Sequence, residues 1–260
     1  MVVILVIALF GPLMAPHSPD AIVGIPYTDP GGGHPLGTDF LGRDVLSRIL
    51  WGGRDIVLVA GVATAIGYVI GATIGLIAGQ SRSIADPALM RAMDVLLAFP
   101  PILFLLVLAT GAGPSTLVLI AGIAIIHVPS IARVIRAATM EVSVRGYVEA
   151  ATARGESTGY VLFREILPNI RATIAADAGP RLTLSILLIA AVNFLGLGPR
   201  PPAADWALMI SENRVGLTLQ PWAVIVPAAL IAILTIAVNS LADQIARSRG
   251  LPSTMQTIRR

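Results

Sequence analysis

The sequence predicts an all-α membrane protein with six transmembrane helices and both termini in the cytoplasm, and three observations carry that reading. Of 260 residues, 55% are apolar and 13% charged, with a mean hydropathy of +0.83. A soluble domain carries about 25% charge, so apolar surface on this scale needs lipid as its solvent. Five stretches contain no Asp, Glu, Lys or Arg: 1–19, 56–81, 95–132, 182–199 and 215–242. The arginines, finally, are distributed unevenly about those stretches.

A spanning helix needs about 20 residues, and a charge at its centre costs ~2.5 to 3.5 kcal/mol on insertion scales, so charge-free stretches locate the spans. The first helix falls near 1–16. It is short, and it lacks both the charged start and the small-residue cleavage site of a signal peptide, so it reads as a retained helix whose cytoplasmic leader is absent from this numbering. Residues 17–54 follow as an extracytoplasmic segment with an amphipathic helix. The second helix, 56–79, carries Gly67, Gly71, Gly75 and Gly79, one every fourth residue on a single face. Such a stripe lets a neighbouring helix approach closely, the usual basis of helix association in lipid. The third stretch, 95–132, is too long for one span and is interrupted by Gly111-Ala-Gly-Pro-Ser115, a turn cluster that divides it into helices near 93–110 and 115–132. Pro100-Pro101 and Pro129 are expected to kink them. The last two helices fall near 178–198 and 222–242, closing a membrane domain over 55–243 and leaving a cytoplasmic tail at 244–260.

Orientation follows from the arginines. With the N-terminus inside, the inner segments hold Arg82, Arg91, Arg133, Arg136, Arg145, Arg154, Arg164, Arg171, Arg247, Arg249, Arg259 and Arg260. The outer segments hold Arg43, Arg48, Arg54, Arg200 and Arg214, and Arg181 sits at a boundary. The positive-inside rule favours this topology. It also removes the motive for reading the pI of 9.9 as nucleic-acid binding, because the basic excess marks one face of the membrane.

Several chemistries are excluded or unsupported. The chain has no cysteine, which removes disulfides, thiol catalysis and iron–sulfur ligation, and no lysine, which removes the lysine of a nucleotide P-loop. Gly31-Gly32-Gly33 is followed by no GK[ST], and no GxSxG nucleophile motif occurs. His17, His34 and His127 lack the HExxH spacing, and no metal site is read from them. Asp94 and Asp177 read as local ion pairs with Arg91 and Arg181 at the cytoplasmic interface in preference to a proton relay. Asn193, placed mid-span, reads as an interhelical hydrogen bond.

The most informative segment is the connection from Arg133 to Ala176. It reads as two short amphipathic helices, Val144 to Arg154 and Thr158 to Leu167, separated by Gly155, restarted by Ser157 as N-cap and ended by Pro168. Tyr147, Ala150, Ala151, Leu162 and Ile166 are available for burial, as suits an element that docks on a cytoplasmic partner.

Tyr147-Val-Glu149-Ala150-Ala151, then Gly155, then Phe163-Arg-Glu-Ile-Leu-Pro-Asn169 resembles the EAA loop of binding-protein-dependent ABC importer permeases, here over 141–170. His34-Pro-Leu-Gly-Thr-Asp-Phe-Leu-Gly-Arg-Asp-Val-Leu-Ser-Arg48 is similar to the outer segment of the C-type permease of dipeptide, oligopeptide and nickel importers. Arg91-Ala-Met-Asp94-Val-Leu-Leu-Ala-Phe99-Pro100 and Phe194-Leu-Gly-Leu-Gly198, with Pro201-Pro202 and Trp206, resemble two further signatures of that branch. The resemblance implies a type I ABC importer permease fold and a bacterial cytoplasmic-membrane location. It implies as partners a homologous second permease subunit, two ABC ATPase subunits and an extracytoplasmic solute-binding protein, with ATP and Mg held by the ATPases and no cofactor on this chain.

The residues it assigns to ATPase coupling are Glu149, Ala150, Ala151, Gly155, Leu162, Ile166, Leu167 and Pro168. Among them Glu149 is a charge-assisted contact, Gly155 the turn, and Ala150 and Ala151 close packing in the ATPase groove. The implied cargo is peptide, di- or tripeptides ahead of longer ones, with nickel chelates or haem as alternatives. Glu165 stands where the family often has histidine, and Ala246-Arg-Ser-Arg249 departs from its acidic C-terminal pattern. Two rivals from other classes are an ion-gradient-driven secondary transporter, which would want paired mid-membrane carboxylates or inverted repeats, and a membrane-embedded hydrolase.

Overall fold

The computed structural model describes residues 2–80, 85–198 and 203–248. Arg82, Arg200, Pro201, Pro202, Arg249, Arg259 and Arg260 lie outside the described residues. Nine helices occur among those that are described: α1 Val2–Phe10, continued by a 3-10 turn Gly11–Met14, α2 Val45–Gln80, α3 Ala85–Leu97, α4 Pro101–Ala112, α5 Thr116–Ser143, α6 Gly146–Ala153, α7 Thr158–Phe194, α8 Trp206–Asn213 and α9 Trp222–Ser248. The segment before α2 holds only isolated bridges, such as Ile22 to Arg43 and Thr38 to Asp44.

Four helices are long and apolar enough to cross a membrane: α2, α5, α7 and α9. Leu89–Leu97 and Pro101–Ala112 pass the same test only together, as a bent pair broken around Pro100, where a missing N–H and a ring clash stop the helix. The apolar stretch of α1, Val3–Met14, is shorter than a span. The described residues therefore give four spans, or five with the bent pair, and do not reach the six expected.

Two helices differ from expectation for identifiable reasons. α2 begins at Val45, well before residue 56: Arg54 and Asp55, which delimit the charge-free stretch, stand exposed on the helix, and Arg48 is paired within the protein. Asp44 caps it, accepting from the Ser47 N–H at 2.9 Å and the Ser47 hydroxyl at 2.6 Å. α7 runs unbroken from Thr158 through Pro168 to Phe194. A π-helical turn at Val161–Ile166 precedes the proline, with the Leu167 N–H reaching back to the Leu162 carbonyl. The wider turn accommodates a ring that would end a regular helix, and the expected stop at Pro168 does not occur. The connection 133–176 is correspondingly helical over most of its length, with α5 extending to Ser143.

The contacts divide the chain into two compact units. The first comprises 1–63, 101–122 and 182–239. Its centre is a buried ionic cluster. Asp39 Oδ2 accepts from Arg43 Nε at 2.7 Å and from Arg48 Nη1, and Glu212 Oε2 accepts from the same two arginines at 3.1 and 2.9 Å. The Arg48 and Asp39 side chains are fully buried, and those of Arg43 and Glu212 are 2% and 7% exposed. Arg48 also donates to the Ala203 carbonyl at 3.1 Å, and the Arg43 guanidinium lies 5.1 Å from the Phe40 ring centroid. Nearby, the fully buried Trp206 indole donates to the Ile49 carbonyl at 2.8 Å and rests on Gly52 and Gly53, where a Cβ would stand 2.8 and 2.5 Å from the ring.

Asp205 caps α8, its Oδ1 accepting from the Ala207 and Leu208 N–H groups at 2.9 and 3.0 Å. Burial pushes the Asp205 carboxyl up to about 6 against the easing effect of those donors and of the Asn193 amide, and the like charge of Asp55 raises it further. Asn193 itself is the next-to-last residue of α7, not mid-span.

The second unit comprises 64–100, 123–181 and 240–260. Gly67, Gly71, Gly75 and Gly79 of α2 lie against α5. A Cβ on Gly67 would stand 3.0 Å from the His127 Cβ, one on Gly71 2.9 Å from the Val128 carbonyl oxygen, one on Gly75 2.6 Å from that of Ala132, and one on Gly79 2.6 Å from the Thr139 Cβ. Backbone meets backbone along this seam, and no larger side chain fits without moving one helix.

Candidate functional site

The element singled out by the sequence lies in the second unit. α5 ends at Ser143, and the short α6 begins beyond Arg145, whose carbonyl accepts the Val148 and Glu149 N–H groups at 2.9 and 3.2 Å. α6 is ended by Gly155 at φ +83°, a conformation only glycine adopts without strain. The Gly155 N–H bonds to the Thr152 carbonyl at 3.0 Å and the Glu156 N–H to the Ala151 carbonyl at 3.3 Å, the paired bonds of a Schellman stop. Ser157 then caps α7, its Oγ accepting the Tyr160 N–H at 3.2 Å. Two local signals, a left-handed glycine and a capping serine, thus reverse the chain within a few residues.

The residues of this element face two ways. Ala151, Leu162 and Ile166 are buried in a core with Val142, Val148, Val161 and Ile170, against Leu76 of α2 and Ile131 and Ile135 of α5, and Leu167 packs on its edge. Their apolar surface is spent inside this chain, so they hold the element to α2 and α5. Glu149, Ala150 and Pro168 are exposed. So are Met140, Val144, Tyr147, Tyr160 and Phe163, of which Phe163 is 63% exposed. Glu149 also lines a cavity of about 630 Å³ with Gly79, Gln80, Ser143, Thr152 and Ala153. Of the residues available for burial by the amphipathic pattern, Tyr147 and Ala150 face outward, as do Val144 and Tyr160, which the pattern does not single out. Helical periodicity identifies an apolar side chain but not which of two faces will be covered.

Other polar residues of the second unit are paired by tertiary structure. Asp94 meets Arg133 of α5 in an exposed ion pair, not Arg91 as its spacing suggested. Asp177 does pair with Arg181, which donates from Nε and Nη2 at 3.1 Å, and it also accepts the Tyr68 hydroxyl at 2.7 Å. In the first unit, His17 and His34 lie 3.8 and 3.6 Å from the carboxylate of Asp44. Among the described residues no group of three or more His, Cys, Asp or Glu is placed to hold a metal ion.

A family model described as binding-protein-dependent transport system inner membrane component matches residues 71–250. The chain is 38% identical over 215 residues to the glutathione transport system permease protein GsiD of Pectobacterium atrosepticum, covering 82% of this chain and 71% of that one. It is 35% identical over 250 residues to the di/tripeptide transport system permease protein DppC of Pseudomonas aeruginosa, covering 94% and 82%. Among solved structures, an inward-facing form of the MetNI methionine ABC transporter superposes with a TM-score of 0.64 at 17% identity, over 77% of this chain and 95% of that one. That likeness speaks to the fold.

Proposed function

This chain belongs to the family of binding-protein-dependent transport system inner membrane components, and on that premise we propose that it is the permease subunit of an ATP-driven importer of short peptides, coupled to its ATPases through residues 141–170. The names of its relatives support the cargo, since glutathione, dipeptides and tripeptides are all short peptides. The observation that carries the coupling is the two-faced element itself. Its inner side is anchored by Ala151, Leu162 and Ile166, and its outer side presents Val144, Tyr147, Tyr160 and Phe163 with Glu149 and Ala150.

An element fixed on one side and apolar on the other transmits a push without yielding. ATP binding draws the ATPase subunits together, the element moves with them, and the glycine-seamed helices shift between inward and outward openings. In this reading Glu149 makes a charge-assisted contact with the ATPase and Gly155 sets the turn. The complex sits in the bacterial cytoplasmic membrane with both termini of this chain inside, a homologous permease beside it, two ATPases below and a solute-binding protein outside. ATP and Mg belong to the ATPases.

The test is reconstitution of the complete importer with its binding protein. Di- and tripeptides are expected to stimulate ATP hydrolysis and enter vesicles, with uptake stopping on ATP depletion and surviving an uncoupler; stimulation by nickel chelates or haem instead would redirect the cargo. Glu149→Arg and Gly155→Pro are expected to leave a membrane-inserted chain with uptake reduced at least tenfold. Full uptake and full solute-stimulated hydrolysis in both variants would remove the coupling assignment.

A further inference from the structure

The first unit contains a cavity of about 130 Å³ lined by Asp55 and the apolar Ile56 and Val59 of α2, Thr116 and Leu119 of α5, Ile189 and Asn193 of α7, and Asp205 at the cap of α8. Among the described residues its polar lining consists of oxygen donors, two carboxylates, an amide and a hydroxyl, with no imidazole, thiol or guanidinium. Asp205 is 1% exposed and Asn193 2% exposed. One Asp205 oxygen is engaged by the helix cap. Its Oδ2 and the Asn193 Oδ1 have no hydrogen-bond donor among the described residues. Buried oxygens left in this way cost free energy, and a carboxylate costs most. Among the described residues the charged group acting on Asp205 is Asp55, of the same sign, so none of them relieves it by an ion pair.

We propose that this cavity binds a hard divalent cation of the calcium class, held by Asp205, Asn193, Asp55 and Thr116. Carboxylate, amide and hydroxyl oxygens are the donors such an ion takes, with waters completing six to eight ligands at about 2.3–2.6 Å. Softer metals prefer imidazole nitrogen and thiolate sulfur, which the described lining residues do not supply. A water occupies about 30 Å³ of liquid, so the cavity has room for one ion with a few waters. A double positive charge answers the two carboxylates at once. Bound there, the ion ties α2, α5, α7 and the start of α8 at one point, a structural role that does not depend on the identity of the cargo.

The experiment uses the assembled importer in detergent at pH 7.5, stripped with a chelator and then titrated with calcium chloride, with magnesium chloride and sodium chloride as parallel arms. Calcium is expected to raise the midpoint of thermal unfolding by several degrees and to bind, as radioactive calcium, in a component that Asp205→Asn removes. Asparagine is itself a good cap, so that variant keeps the α8 start. Asp55→Asn, at an exposed position, is expected to weaken the same component at least tenfold, and it carries the test should Asp205→Asn fail to assemble. No calcium response in the wild type, or an equal response in both variants, overturns the proposal. A wild type indifferent to calcium with Asp205→Asn unfolding at a higher temperature would overturn it too, and would assign the cavity to a protonated carboxyl.

Discussion

The most buried ion pairs of the first unit and the most exposed pairs of the second use the same chemistry under opposite conditions. In the first, Arg43, Arg48, Asp39 and Glu212 are all but sealed from solvent, and each of the four makes two charged contacts. In the second, Arg145 and Glu141 form an i,i+4 pair with side chains 52% and 75% exposed, and Asp94 and Arg133 meet at similar exposure. Exposed pairs are worth about 0–1 kcal/mol because water screens them and two long side chains must be held still. A buried cluster is different in kind. Its net gain over an apolar core is small, but removing one member strands the others in a medium that cannot solvate them. Proximity in sequence says nothing about which case applies, and solvent access decides it.

That contrast is broken most severely by Arg48→Met. It leaves Asp39 and Glu212 sharing only Arg43, and the expected loss is about 3–5 kcal/mol, seen as a large drop in the thermal midpoint of the detergent-solubilised importer. A midpoint within error of wild type would mean that the cluster is solvated. Next comes the second unit's own point of rigidity. Gly75→Leu drives a side chain against the Ala132 carbonyl and is expected to cost about 1–3 kcal/mol. Gly61→Ala on the same helix meets nothing within 4 Å and is expected to gain up to about 1 kcal/mol, which isolates the seam from helix propensity. Ser157→Ala removes the α7 cap and is expected to cost about 1 kcal/mol, read as faster amide exchange near Tyr160. The smallest effect belongs to Arg145→Ala, at about 0.2–1 kcal/mol and diminishing with salt. A double-mutant cycle over Arg145 and Glu141, set beside one over Arg48 and Glu212, measures the contrast directly.

Local features were legible in the sequence and tertiary ones were not. The four-residue glycine period pointed to a packed face on α2, and the structure sets those glycines on α5. Gly155 and Ser157 announced a turn and a cap, because each acts on its own neighbours. The start of α2 lies eleven residues before the charge-free stretch because a helix can carry charges on an exposed face, as at Arg54 and Asp55, or pair them over distance, as Arg48 pairs with Glu212, 164 residues away. Pro168 was read as a stop because the proline rule assumes a regular α-helix before it. The cavity at Asp205 has no signature at all. Its oxygens come from four separated segments, and Asp205 looks like any helix cap until its second oxygen is followed inward.

The π-helical turn at Val161–Ile166 fixes the phase of α7. It holds one residue more than a regular turn, and one residue in an α-helix is about 100° of rotation. Deleting a single residue between Val161 and Ile166 would leave every later side chain chemically intact and aimed the wrong way: Asp177 would swing off Tyr68, and the segment leading to Asn193 would turn with it. A register set by one extra residue is also one that a length change can reset without altering a single contact residue, so in this helix insertions and deletions are to be feared more than substitutions.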